Sequence, residues 1–377
     1  MYLDVLLIVA IGLALVHFGF PLTYYYYLKK RLSKPWNVKR DPDYKPGVSI
    51  IVPTYNEAEL IESKLDDLAR QNYPRELLEI IVVDSASTDG TPERVEEWAR
   101  RNPGLDLKLI RESVRRGKAY ALNNALGYTS GEVVVVTDVD AKWSSTGTLS
   151  NAISWLGDPS VGAVTCLKLP ANGGLAGVEE GYREYYNVVR LAESKAHSTP
   201  VFHGELAAFR KKLLEELGGF STNLGADDSH MATRIALMGY RSIAVDNAWC
   251  IESVPNTGYH KWRIRRAQHL VQHFTATMRH LWRAPRRLRW ILLAETHLHL
   301  FNPWILVITA LILAYQAVKG SALALALVAL GALLLAYKPY RTWIMTQLYL
   351  AVASIRNLWT KEIAWERQYK SRDSLYS

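Results

Sequence analysis

The sequence predicts an α/β domain with a largely parallel sheet, set between apolar segments of membrane length. Three observations predict it. Short apolar runs alternate with helix-period segments between about residues 46 and 253, polar clusters fall just after those runs, and the apolar content of the 377-residue chain concentrates at its two ends.

Residues 2–22 are apolar apart from Asp4 and His17, close to the ~20 residues a bilayer-crossing helix needs. No basic segment precedes them, and no small-residue cleavage site follows before Tyr24-Tyr25-Tyr26-Tyr27. The segment therefore reads as an uncleaved anchor with an interfacial aromatic belt rather than a signal peptide. Near the other end, residues 300–318 and 321–337 are apolar and separated by Lys319-Gly320, which predicts a tight helical hairpin and a total of three spans. The expected organisation is a transmembrane helix over 1–27, a basic linker over 28–45, a central domain over 46–282, an interfacial helix over 283–299, a transmembrane hairpin over 300–338, and an amphipathic interfacial helix and tail over 339–377.

Basic residues cluster after the first span, before the second and after the third, whereas the hairpin tip carries only Lys319. The positive-inside rule then places the N-terminus outside and the central domain in the cytoplasm, as expected of an integral plasma-membrane protein. The net charge of +9 fits a basic rim beside anionic headgroups and gives no reason to expect a nucleic-acid partner. Cys166 and Cys250 show no metal or disulfide spacing and suit a reducing compartment.

Within the central domain, residues 48–52 read as the first strand, and Asn56 as the cap of a helix whose Ile61, Leu65 and Leu68 share one face. Residues 80–83 form a second strand ending at Asp84, and Thr91-Pro92 reads as an N-cap followed by proline in the first turn. Runs at 107–110 and 133–136 continue the sheet, with a helix over 118–126 between them. In open α/β sheets ligands bind beyond the carboxyl ends of strands. Three polar groups stand at such ends: Thr54 to Glu57, Asp84 to Gly90, and Asp138 to Asp140.

A strand ending in Asp138-Val139-Asp140 offers two hard oxygen ligands to one cation, and oxygen ligation favours Mn²⁺ or Mg²⁺ over zinc. No Gly-x-Gly-x-x-Gly follows a strand and no Gly-x-x-x-x-Gly-Lys-Ser/Thr is present, so neither a dinucleotide cradle nor a phosphate-loop ATPase is expected. A nucleotide in this domain would be held through a metal.

Four motifs occur in order: Val52-Pro53-Thr54-Tyr55-Asn56-Glu57, Val82-Val83-Asp84-Ser85-Ala86-Ser87-Thr88-Asp89-Gly90-Thr91, Gly117-Lys118-Ala119-Tyr120-Ala121-Leu122-Asn123 and Asp138-Val139-Asp140. With them the chain resembles the family 2 glycosyltransferases from about residue 49 to 266, including membrane-bound cellulose-synthase-like and dolichyl-phosphate mannose synthase enzymes. The resemblance implies the GT-A fold, a nucleotide-sugar-binding domain with a Rossmann-like mixed sheet. It continues through His203-Gly204-Glu205 and Gly218-Gly219-Phe220 to Ala226-Asp227-Asp228, which stands where cellulose-synthase-like members carry Thr-Glu-Asp. It implies that Pro53, Tyr55, Glu57, Asp84, Lys118, Asp138, Asp140, Gly204, Asp227, Arg263 and Arg266 bind the nucleotide sugar, that Asp138 and Asp140 hold the metal, and that Asp228 is the catalytic base. Where the family carries Gln-x-x-Arg-Trp, this chain has Arg263-Ile264-Arg265-Arg266-Ala267, which keeps Arg266 but neither the glutamine nor the tryptophan and speaks against a processive polymerase.

The function expected on this basis is inverting transfer of a sugar to a polyprenyl- or dolichyl-phosphate-linked acceptor, with GDP-mannose favoured over a UDP-sugar as donor. A UDP-sugar-dependent polysaccharide or glycolipid synthase is the alternative, and an inactive membrane-anchored nucleotide-sugar-binding protein is the alternative of another class. Retention of Asp84, Asp138, Asp140 and Asp228 speaks against the last.

Overall fold

The computed structural model describes residues 4–171, 177–255 and 257–361. The chain opens with α1 (Val5–Leu32), followed by β1 (Val48–Thr54), α2 (Ile61–Ala69), β2 (Leu78–Ser85), α3 (Thr91–Arg101), β3 (Asp106–Glu112), α4 (Lys118–Leu126) and β4 (Val133–Val136). Then come β5 (Ala141–Trp143), α5 (Thr148–Ile153), β6 (Val161–Pro170), α6 (Val178–Ala196), β7 (Ala207–Arg210), α7 (Lys211–Glu216), α8 (Asp227–Leu237) and β8 (Arg241–Glu252). The last elements are α9 (Tyr259–Met278), α10 (Arg286–Thr296), α11 (Asn302–Val318), α12 (Ala322–Leu334) and α13 (Lys338–Arg356).

The eight strands form one mixed sheet in the order β3-β2-β1-β4-β7-β6-β8-β5. The first four are parallel, as the alternating pattern requires; β7 runs antiparallel to both β4 and β6, and β5 antiparallel to β8. Strand β4 is buried on both faces. Val133 and Val135 pack with α2, α3 and α5 on one side, while Val134 and Val136 pack with α4, α7 and α8 on the other. This three-layer arrangement opens the carboxyl ends of β1, β2 and β4 on one edge of the sheet.

Two expectations for local structure are corrected. Asn56 does not cap α2, whose N-cap is Leu60. Asn56 takes a left-handed conformation (φ 55°), its amide donates to the Ser87 hydroxyl at 2.8 Å, and its side-chain oxygen accepts from the Thr88 amide at 2.8 Å. It clamps the β1 loop to the β2 loop, a tertiary role that asparagine tolerates because it enters the left-handed region readily. Thr91 is the first helical residue rather than the N-cap of α3, and its amide is satisfied by Asp89 at 3.1 Å.

Among the described residues two helices are long and apolar enough to cross a membrane, Val5–Leu32 and Arg286–Val318; the pair Ala322–Leu334 and Lys338–Arg356, bent by 104°, makes up to three if counted as one span. The expected interfacial helix and the first arm of the hairpin are thus one element: α10 runs through a π-turn, His297–Phe301, into α11. Pro303 supplies the reason, because it has no N–H to give the carbonyl four residues back, and the ladder widens instead of breaking. Helix α12 has 13 residues, or about 20 Å, short of a ~30 Å hydrocarbon core. Only Tyr26 and Tyr27 of the tyrosine run are exposed large apolar groups; Tyr24 donates to Glu193 at 2.7 Å and Tyr25 stacks on Tyr185.

Candidate active site

A cavity of about 270 Å³ opens beyond the carboxyl ends of β1 and β4 and runs to the foot of the long apolar helices. At its sheet end stand Pro53, Tyr55 and Glu57 from the β1 loop, with the Arg115 guanidinium 3.7 Å from the centre of the Tyr55 ring. Gly117, at φ 115°, lets the chain turn into α4, and Lys118 follows as the first helical residue.

Alternation along β4 sends Val134 and Val136 to the α4 side, and Asp138 continues on that side. Its Oδ1 lies 2.7 Å from Lys118 Nζ, which is also 3.8 Å from Asp227 Oδ2. Burial alone would lower the Lys118 pKa, but Asp138, Asp227 and Asp228 outweigh it and hold the ammonium charged. Asp140 lines the same wall. Gly204 closes it from behind, accepting from the Asp138 amide at 2.9 Å. A Cβ there would stand 2.7 Å from Asp138 Oδ2 and 2.9 Å from Lys118 Nζ.

Two carboxylates against a glycine cradle form an oxygen donor set suited to a hard divalent ion. Among the described residues no group of three or more His, Cys, Asp or Glu gathers to hold a metal. Such an ion would therefore complete its shell with water and ligand oxygens, as Mg²⁺-type sites do when they take one or two carboxylates plus phosphate.

Asp227 and Asp228 open α8 and face the cavity from the other side. Asp228 accepts from the Ser229 amide at 2.6 Å, while the Ser229 hydroxyl donates to the Phe202 carbonyl and accepts from its amide. This pins α8 to the segment before Gly204. Burial, and next the neighbouring Asp227, push the Asp228 carboxyl up to about 7. Burial also raises Asp227, against the pull of Lys118.

Asp84 is the one sequence-derived site residue that does not reach the cavity wall. It is buried, and its carboxylate accepts from the Ser87 amide at 2.9 Å and the Thr54 hydroxyl at 3.3 Å, so it shapes the β2 loop from beneath. Arg263 and Arg266 do line the cavity, with their charges engaged: Arg263 pairs with Glu179 at 3.2 Å and Arg266 with Glu252. Trp262 lies under Arg266, whose guanidinium is 4.7 Å from the indole. The aromatic ring absent at position 267 is thus present five residues earlier on α9.

Sequence reasoning missed two groups. One is Arg115, foreshadowed by the basic run Arg115-Arg116-Gly117-Lys118. The other is a buried ion network in which Lys168 meets Glu205 at 2.7 Å and Glu252 at 3.3 Å, and Arg183 meets Glu252 at 2.5 Å and Glu179 at 2.9 Å. The helical spacing of Glu179, Arg183, Arg190 and Glu193 is one that a solvated helix shares, so the sequence carried no signal of their burial.

The fold has clear relatives. The sequence profile of glycosyl transferase family 2 matches residues 49–218. A mannosyltransferase from Pyrobaculum calidifontis, solved in complex with GDP-Man and Mn²⁺, is 56% identical and superposes with a TM-score of 0.89 over 94% of this chain and 99% of that one. Poly-beta-1,6-N-acetyl-D-glucosamine synthase of Staphylococcus epidermidis is 28% identical over 256 residues, 65% of this chain; the chain spans 60% of the length of that curated relative. TarS of Staphylococcus aureus, residues 1–349, is 20% identical with a TM-score of 0.50 over 84% of this chain and 92% of its own, a likeness of fold alone. The order of motifs, the mixed sheet and these relatives agree: the chain belongs to glycosyl transferase family 2.

Proposed function

We propose that the protein is a membrane-anchored, metal-dependent, inverting mannosyltransferase that moves mannose from GDP-mannose to a lipid-linked acceptor. The observation that carries this reading is the 56% identity over 94% of the chain with a mannosyltransferase solved with GDP-Man and Mn²⁺. The convergence of Asp138, Asp140, Asp227 and Asp228 on one cavity supports it.

In this reading Pro53, Tyr55 and Glu57 receive the nucleoside, with Arg115 closing over Tyr55 and Asp84 setting the loop beneath. Asp138 and Asp140 would hold Mn²⁺ or Mg²⁺. Bound there, the ion neutralises charge on the departing diphosphate by Lewis-acid stabilisation. Lys118 and Asp227 fix the position of Asp138, and Arg263 and Arg266 border the route of the leaving group. The acceptor hydroxyl oxygen attacks the anomeric carbon, the bond from that carbon to the β-phosphate oxygen breaks, and GDP leaves with the electron pair. Asp228 takes the hydroxyl proton. A carboxyl whose pKa lies near neutrality is well matched to that task. The catalytic domain, over 46–282, faces the cytoplasm and α1 enters from outside, with the basic residues on the cytoplasmic side of the plasma membrane.

The test is turnover of radiolabelled GDP-mannose and UDP-sugars with Mn²⁺, offered to polyprenyl phosphate and to lipid-linked glycans, for wild type and Asp228→Asn. Transfer to a lipid-linked hydroxyl that falls by about 10²–10⁴ in the variant supports the reading. Use of UDP-sugars alone, or GDP-mannose binding without turnover on any acceptor, refutes it.

A further inference from the structure

His203 lines the cavity with a ring that has no partner. The residue is only 6% exposed, and it borders the same space as Gly204, Asp138 and Asp228. Its backbone is fully engaged: the amide donates to the Thr165 hydroxyl at 3.1 Å, and the carbonyl accepts from the Leu206 amide at 3.2 Å. The imidazole itself makes no hydrogen bond, ion pair or aromatic contact among the described residues. Buried polar side chains nearly always carry a hydrogen-bond partner, so a ring that borders a cavity with none is poised for a ligand.

The chemistry of the ring and of its surroundings narrows the ligand. Burial first, and then Lys168, Arg183 and Arg190, hold the imidazole well below its usual range, which keeps it neutral. A neutral imidazole offers one N–H donor and one acceptor nitrogen, whichever tautomer it takes. The ion network nearby balances in formal charge, with five cations against five carboxylates, and so selects neither an anion nor a cation. Hydroxyl groups, each able to donate and to accept, match both kinds of ring nitrogen.

Its chain neighbours set its place. Phe202 is tied through its amide and its carbonyl to the Ser229 hydroxyl, at 3.0 and 3.3 Å, and the Ser229 amide donates to Asp228. On the other side, Gly204 accepts from the Asp138 amide at 2.9 Å. His203 therefore stands between the residue anchored beside Asp228 and the residue anchored to Asp138. In a sugar transfer the hexose must pass between the group that holds the diphosphate and the group that takes the proton. We propose that His203 is a sugar-hydroxyl ligand, whose imidazole hydrogen-bonds a hydroxyl of the hexose held between Asp138 and Asp228 and orients that hexose for transfer. The proposal rests on the reading of the cavity as a sugar-transfer site and adds a specificity-determining residue to it.

The test uses the full chain in nanodiscs with Mn²⁺, GDP-mannose and a mannosylated polyprenyl lipid as acceptor, together with singly deoxygenated analogues of each sugar. His203→Phe keeps a ring without nitrogens, His203→Ala removes the ring, and His203→Gln returns one donor and one acceptor. The phenylalanine and alanine variants are expected to lose roughly tenfold in kcat/KM on the parent substrates, and glutamine to recover part of it. On the one analogue that lacks the contacted hydroxyl, wild type and variants should differ less than about twofold, and whether it is a donor or an acceptor analogue identifies the hexose. The Mn²⁺ concentration for half-maximal activity should stay that of the wild type. An equal loss on every analogue, no loss on any, or a raised Mn²⁺ requirement overturns the proposal. Unfolding of both the phenylalanine and alanine variants would make the imidazole a structural group and overturn it as well. A wild type that transfers to no lipid-linked acceptor refutes the transferase reading instead, and equilibrium binding then decides on His203 alone. Binding of GDP-mannose or of the mannosylated lipid roughly tenfold weaker in His203→Phe, with GDP and the bare lipid unchanged, supports the hydroxyl contact, and unchanged binding of all four removes it.

Discussion

Replacing Gly204 by alanine isolates the contact on which the proposed metal site depends. The added methyl would stand 2.7 Å from Asp138 Oδ2 and 2.9 Å from Lys118 Nζ, where ordinary contact begins at 3.4 Å. The carboxylate must retreat by about 0.7 Å, a displacement of the kind that costs on the order of 10²-fold when a reacting geometry is at stake. The backbone cannot absorb it cheaply. Asp138 donates to the Gly204 carbonyl at 2.9 Å, and the antiparallel pairing of Val136 with Ala207 ties β4 to β7 three residues further on.

The expected result is a fall of roughly 10²-fold in kcat/KM together with a raised Mn²⁺ concentration for half-maximal activity, while the midpoint of thermal unfolding without metal stays within a few degrees. The assay is a Mn²⁺ titration of GDP-mannose turnover beside a thermal melt. A variant with wild-type Mn²⁺ dependence would refute the assignment of Asp138 as a ligand. One that unfolds would show that the close approach serves the sheet rather than the site.

Other expectations follow from charge and burial. Because the Asp228 carboxyl is raised to about 7, its basic form grows only as pH rises through that value, so kcat/KM should climb with pH across neutrality. Asp227→Asn removes the second cause of the rise, and a pH–rate profile should show the midpoint moving to lower pH. The sign for stability is opposite: a raised carboxyl favours the fold below its unfolded value of 3.8, and that contribution is lost as pH rises through about 7. Asp228→Asn should therefore melt higher than wild type at pH 8 without metal while being inactive. Lys168→Met strands Glu205 and Glu252 with one cation fewer and should destabilise by roughly 3–5 kcal/mol in denaturant unfolding, and adding Glu205→Gln should recover part of the loss.

The parallel half of the sheet was legible because three of its strands, β1, β2 and β4, are buried on both faces. Four consecutive valines over Val133–Val136 admit little else, and Gly117 marks the start of α4 at Lys118. The other half, where antiparallel β7 and β5 flank the parallel pair of β6 and β8, was not read. Strand β8 alternates buried and partly exposed positions only near its end, and its pairing with β6 joins residues about eighty apart through two register shifts, which no local pattern encodes. At the site, the aspartates were legible as a motif, but not the partners that set their chemistry. Lys118 was expected to contact the nucleotide sugar, and its pairing with Asp138 and Asp227 on the cavity wall was not foreseen. Asp84 was expected at the ligand, and the hydrogen bond it accepts from Ser87 in its own loop was not foreseen. Charges at helical spacing on α6 resemble a solvated face in sequence, and only the packing of α1, α13 and β8 around the helix makes them a buried row.

That burial ties the apolar helices to the cavity. Polar groups within apolar helices are costly unless paired, and several of the pairs run between elements. Gln316 of α11 donates to Asp4 at 2.7 Å, Trp343 of α13 donates to His17 of α1 at 3.0 Å, and the other His17 nitrogen is 3.1 Å from the Asn302 carbonyl. Tyr24 of α1 then reaches Glu193 of α6, the helix that bears Arg183 and Arg190 on the cavity wall. A shift of α1 along its axis would break all of these contacts together. Helix α1 therefore fixes the position at which α6 presents its row of charges. This gives a physical reason for a single cavity to connect the end of β4 with the foot of α11.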